Sequence, residues 1–142
     1  PGTSSTRVLL VGLGKERDFT EKQYCQAVRA SVKAASNTGA NDVASYLATL
    51  AVKKLDARWK VAHMAEVSLD VAYRFDAIKK KKDEAKKDES KKGIANLAIY
   101  LADRAELKAG EAGLADGQAL ALGVSLTKDL GNLPPNVCTP TY

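Results

Sequence analysis

Apolar and polar positions change their period several times along the chain. Arg7 to Gly14, RVLLVGLG, is a continuous apolar run bounded by glycines, the pattern of a short buried strand. Thr20 and Gln23 then stand in capping-box spacing. After them Tyr24, Ala27, Val28, Val32 and Ala35 recur at helical intervals, and Gly39 stands where a C-terminal cap glycine belongs. The next stretch, DVASYLATLAV, alternates, with Val43, Ser45, Leu47 and Thr49 on one side, which predicts a second strand. From about Arg58 to Ile78 the helical period returns in Val61, Ala65, Ser68, Ala72 and Phe75, with Leu69 and Tyr73 beside them. GIANLAIYLA, residues 93–102, predicts a third strand, and Asp103 with Glu106 makes a capping pair. A long helix over Lys108 to Leu130 follows, with Ala115, Ala119, Leu122 and Leu126 on one face. Gly110, Gly113 and Gly117 dot its first half. Glycine costs helix stability, so these three predict a close approach by another element or a late helix start.

The order strand, helix, strand, helix, strand, helix predicts an α/β layer structure with a mostly parallel sheet. Three strands make a thin sheet, so further strands are expected upstream of Pro1, and the domain is expected to be truncated.

Length and composition add little that is special. A chain of 142 residues is one domain's worth, and 45% apolar with 27% charged residues is ordinary for a globular protein. No apolar run approaches the roughly 20 residues of a membrane span, and no signal segment opens the chain. The expected compartment is the cytosol, with no membrane partner. Charge is more telling. Residues 79–92, KKKKDEAKKDESKK, hold eight lysines against four acids and so account for +4 of the net charge of +5. The segment reads as a solvated loop. Its alternative reading is phosphate contact through Lys79, Lys80, Lys81, Lys82, Lys86 and Lys87, although no aromatic is interleaved to stack on bases.

Catalytic chemistry is hard to find. Gly12 and Gly14 begin a dinucleotide fingerprint, but Arg17 takes the place of its third glycine, so a turn is the better reading. An ADP-ribose-type ligand at that turn would rest on fold analogy alone. His63 is the only histidine, and no ligand spacing surrounds it. Asp56, Glu66, Asp70 and Asp76 read as helical surface charges. Cys25 and Cys138 sit in no paired motif and read as small apolar residues.

The C-terminal text is more specific. TKDLGNLPPNVCTPTY, with Asp129, Leu130, Asn132, Pro134, Pro135, Asn136, Thr139 and Pro140, resembles the segment joining the two domains of the leucyl aminopeptidase family, bacterial aminopeptidase A type. RVLLVGLGKERDFTEKQYCQAV and WKVAHMAEVSLDVAYRFD are similar to that family's opening strand and following helix. The resemblance implies a macro-domain-like three-layer sandwich over residues 1–130 and an interdomain connector beginning at 131–142. It also implies that the pair of divalent ions, manganese or zinc, and every metal ligand belong to a separate catalytic domain. That domain's Asn-Thr-Asp-Ala-Glu-Gly-Arg run is absent from this sequence, so no catalytic or metal-binding residue is assigned here. Peptide substrates, a homohexamer and, in some bacterial members, DNA are the partners the resemblance implies. The prolines are expected to hold the connector extended.

Overall fold

The computed structural model describes residues 5–75 and 93–139. Helix α1 spans Glu21–Asn37 and opens as expected: the Thr20 amide donates to Gln23 Oε1 at 3.2 Å. It ends at Thr38, after which Gly39 takes φ +69°, a conformation that L side chains rarely adopt. Strand β1, Asp42–Ser45, follows. Helix α2, Ala57–Ala72, is capped by Asp56, which accepts from the Trp59 amide at 2.8 Å. Strand β2, Asn96–Ile99, pairs with β1 in parallel, with Asp42 opposite Asn96 and Ser45 opposite Ile99. Helix α3, Leu107–Asn132, closes the order. The molecule is an α/β structure with a small open parallel sheet.

Side chains alternate across that sheet. Val43, Ser45, Leu97 and Ile99 are half-buried, while Asp42, Ala44, Asn96 and Ala98 are exposed. The core lies among the helices: Tyr24, Val28 and Val32 of α1 meet Val61, Met64 and Val67 of α2, with Ala48 and Val52 from the intervening segment. Ile99 and Leu101 pack against it from β2 and its exit.

Four expectations are corrected. Residues 7–14 form no strand: Val8, Leu9 and Leu10 are exposed, and Arg7 is tied to the Thr38 carbonyl instead. A strand is maintained by its ladder, and β-propensity without a neighbour does not produce one. The second predicted strand stops at Ser45, because its continuation turns into a 3₁₀ segment over Leu47–Thr49. There the carbonyls of Ala48 and Leu50 accept from the buried Lys60 Nζ, at 2.7 and 3.0 Å, rather than from a neighbouring strand. Helix α2 ends at Ala72, since Tyr73 turns to ψ 133° and takes Phe75 out of the helix. Finally, α3 does not bury Ala115, Ala119, Leu122 and Leu126; all four are exposed. It buries Gly110, Gly113, Gly117 and Ala121 instead.

The glycines explain that choice. A Cβ on Gly113 would lie 2.2 Å from the Arg58 carbonyl oxygen, and one on Gly117 would lie 2.3 Å from that of Ala62. At Gly110 the obstacle is Leu101 Cδ1, at 2.7 Å. The two helices approach backbone to backbone along this line, as the glycine spacing predicted.

Candidate functional site

The polar side chains converge most densely where α3 runs past the end of α2 into the proline segment. Tyr73 Oη donates to Asp129 Oδ1 at 2.7 Å, and Asn132 Nδ2 donates to Tyr73 Oη at 3.4 Å. Lys128 forms an ion pair with Asp70 and places its Nζ 4.9 Å from the centre of the Tyr73 ring. Burial and the bond to Asp129 push the Tyr73 phenol above its ordinary pKa. These residues clamp the last turn of one helix to the last turn of the other. Two of them, Asp129 and Asn132, belong to the tail pattern singled out from the sequence. Tyr73, Asp70 and Lys128 were missed; only the position of Tyr73 beside the apolar stripe hinted at it.

Beyond Asn132 the chain leaves the helix through Leu133, at ψ 138°, and then turns. The amides of Val137 and Cys138 both donate to the Pro134 carbonyl, at 2.9 and 3.0 Å, and Thr139 N donates to Val137 O at 3.0 Å. The passage containing Pro134, Pro135 and Asn136 is thus a turn, and the expected extended path is corrected. A proline still ends the helix, but its carbonyl serves as the acceptor that bends the chain. Pro140 lies outside the described residues.

A second convergence is an open cleft of about 340 Å³ lined by Lys54, Asp56, Arg58, Trp59, Ala62 and Asp116. Its guanidinium and both carboxylates are already engaged. Arg58 Nε donates to Asp116 Oδ2 at 2.7 Å, and this guanidinium holds the Asp116 carboxyl below the usual carboxylate range. Asp56 is occupied as the cap of α2. Beside the cleft His63 stacks on Trp59 at 5.2 Å between ring centres, with Nδ1 3.5 Å from Glu66 Oε2. Cys25 is half-buried, and its thiol is pushed up by burial and by Glu21. Gly14 takes φ +79° with open space around it, so this position uses glycine's conformational freedom, while residues 12–14 form no regular element.

Among the described residues no group of three or more His, Cys, Asp or Glu side chains could hold a metal ion. The described residues therefore do not fit the divalent pair that the resemblance implies. No described helix is long and apolar enough to cross a membrane. Lys79, Lys80, Lys81, Lys82, Lys86 and Lys87 lie outside the described residues.

Comparison with known proteins gives one consistent picture. The model of the "Cytosol aminopeptidase family, N-terminal domain" matches residues 1–82. A Chromobacterium violaceum protein named "Probable cytosol aminopeptidase" is 50% identical over 142 residues, all of this chain and 26% of its own length. Proteins of the same name from Methylobacillus flagellatus and Dechloromonas aromatica are 49% and 45% identical, each again over the whole chain and 28% of their own length. The chain thus spans about a quarter of the length of these curated relatives. Among solved structures, "Bottromycin maturation enzyme BotP in complex with Mn" shares the fold at a TM-score of 0.64 and 24% identity, over 92% of this chain and 24% of that one. A family model that matches more than half of the chain supports one assignment: this chain belongs to the cytosol aminopeptidase family.

Proposed function

We propose that this chain is the non-catalytic N-terminal domain of a longer, cytosolic metallo-aminopeptidase that removes N-terminal residues, leucine among them, from peptides. The observation that carries the reading is the full-length match: relatives named as aminopeptidases align with all of this chain, yet the match occupies only 26–28% of them. Residues 1–130 would form the domain, and 131–142 would begin the connector, including Asn132, Pro134, Pro135, Asn136, Thr139 and Pro140. The divalent ions, manganese or zinc, would be held by the remaining part, and no catalytic step is assigned to a residue described here. Within the parent the domain would serve assembly or regulation, including the homohexamer that the family resemblance implies.

The longer protein should hydrolyse a chromogenic leucine amide, lose activity to a chelator and regain it with manganese or zinc. The 142-residue chain should remain inactive with either metal. Turnover by the short chain at a comparable rate would sink the non-catalytic role, and an inactive longer protein would sink the aminopeptidase reading. Light scattering of the longer protein tests the hexamer.

A DNA-binding accessory role is the second reading, favoured by the +4 charge of the lysine segment. It requires an affinity that falls steeply as salt rises from about 50 to about 200 mM, through release of condensed counterions. Salt-independent or absent binding removes it.

A further inference from the structure

Helix α3 is apolar on two sides, and only one of them is buried among the described residues. The side toward α2 is the line of Gly110, Gly113, Gly117 and Ala121. The opposite side carries Ala112, Ala115, Ala119, Leu122, Leu126 and Leu130, all exposed, with Leu122 at 71% and Leu126 at 60%. From Ala112 to Leu126 the steps are three, four, three and four residues. This is the spacing of a seam that packs lengthwise on another helix, not that of a surface facing water. No charged residue interrupts it between Ala112 and Leu126, since Asp116 faces Arg58. Small residues fill its first half and leucines its second, so a partner helix would approach closely at the start of α3 and be held by larger side chains toward the connector.

We propose that this outer stripe is a helix-packing seam occupied by an apolar helix from the part of the parent protein that follows the connector. The inference rests on the reading above that such a part exists. Two observations favour that occupant over a second copy of the domain. The matched model is an N-terminal domain, and about three-quarters of each relative lies outside the match. The leucine half of the seam also leads directly into the clamped end of α3, where Tyr73, Asp129 and Asn132 hold the exit point of the chain in place.

The test uses the longer protein carrying Leu122→Cys, with maleimide modification followed by peptide mass mapping to separate this thiol from Cys25 and Cys138. With the seam occupied, Cys at this position should react at least tenfold more slowly in the native protein than in urea. Adding Leu126→Asp should restore most of the lost rate. Native reactivity within about threefold of the unfolded rate overturns the proposal. So does protection that disappears on dilution to the monomer, because a second copy would then be the occupant. Hydrolysis of a leucine amide by the same preparation is read separately. Protection without hydrolysis leaves the seam standing and removes the peptidase reading; hydrolysis without protection does the reverse.

Discussion

Tyr24 is fully buried, and its hydroxyl has no hydrogen-bond partner among the described residues. Its ring meets Trp59 at 6.2 Å and Phe19 at 6.5 Å, so its aromatic body is well packed while its polar tip is a liability. Burial pushes its phenol well above the ordinary value of 10.0. The folded chain therefore favours the neutral phenol, and the unfolded chain can release the proton from about pH 10 upward. Stability from this source is complete below pH 10 and is lost as pH rises. Tyr24→Phe should raise the free energy of unfolding at neutral pH by about 1 kcal/mol, since an unsatisfied buried hydroxyl disappears. It should also flatten the alkaline loss, as read from urea midpoints at about pH 8 and pH 11. Equal losses in the two proteins would show that Tyr24 is not the group responsible. Lys60 is the contrasting case. It is also buried, but both of its contacts are good acceptors, and it closes the segment that would otherwise have continued β1.

Elements meet here through what their residues lack. The α2–α3 contact is close because Gly113 and Gly117 have no Cβ. Gly113→Ala would gain about 1 kcal/mol of helix propensity, but a methyl 2.2 Å from the backbone oxygen of Arg58 forces the helices apart. Overpacking against rigid backbone dominates, and we expect a net destabilisation of about 2–3 kcal/mol. Gly123 sits in the same helix with nothing within 4 Å of its would-be Cβ. Gly123→Ala should therefore stabilise by roughly 0.5–1 kcal/mol. Thermal unfolding of the pair decides the point: the midpoints should move in opposite directions, by about 2–4 °C per kcal/mol for a chain of this size. Two increases would mean that the helices are further apart than described. Asp116 and Arg58 add an exposed ion pair at the edge of this contact; it orients the helices more than it stabilises them.

The whole molecule leaves much of its apolar surface uncovered. Val8, Leu9 and Leu10 lie exposed, one face of a parallel sheet is open, and the outer stripe of α3 faces water. Parallel sheets are ordinarily covered on both faces, and an open edge invites pairing with another chain. The isolated chain should consequently melt below the same residues in the longer protein. Hydrogen exchange of α1 and α2 in the two contexts would measure the difference, and identical protection would count against it.

Local signals were legible in the sequence because they act within a few residues. The Thr20–Gln23 cap, the turn at Gly39 and the end of a helix before Pro134 each depend on backbone geometry close at hand. The alternation of helix with strand, and hence the α/β class, followed from hydrophobic period. Gly110, Gly113 and Gly117 left two readings, close approach or a late helix start, and only the contact with α2 decided for the first. Tertiary structure alone decided which of two apolar stripes on α3 is buried, since both satisfy the same period and only contact with Arg58 and Ala62 distinguishes them. It also decided that RVLLV is no strand here and that the second strand ends at Ser45. Pairing depends on which backbone groups find partners, and at Ala48 and Leu50 that partner is a lysine side chain from another element. The tail pattern pointed to the family from sequence, whereas the Tyr73–Asp129–Asn132 clamp appeared only on folding, because it joins residues 56 and 59 positions apart.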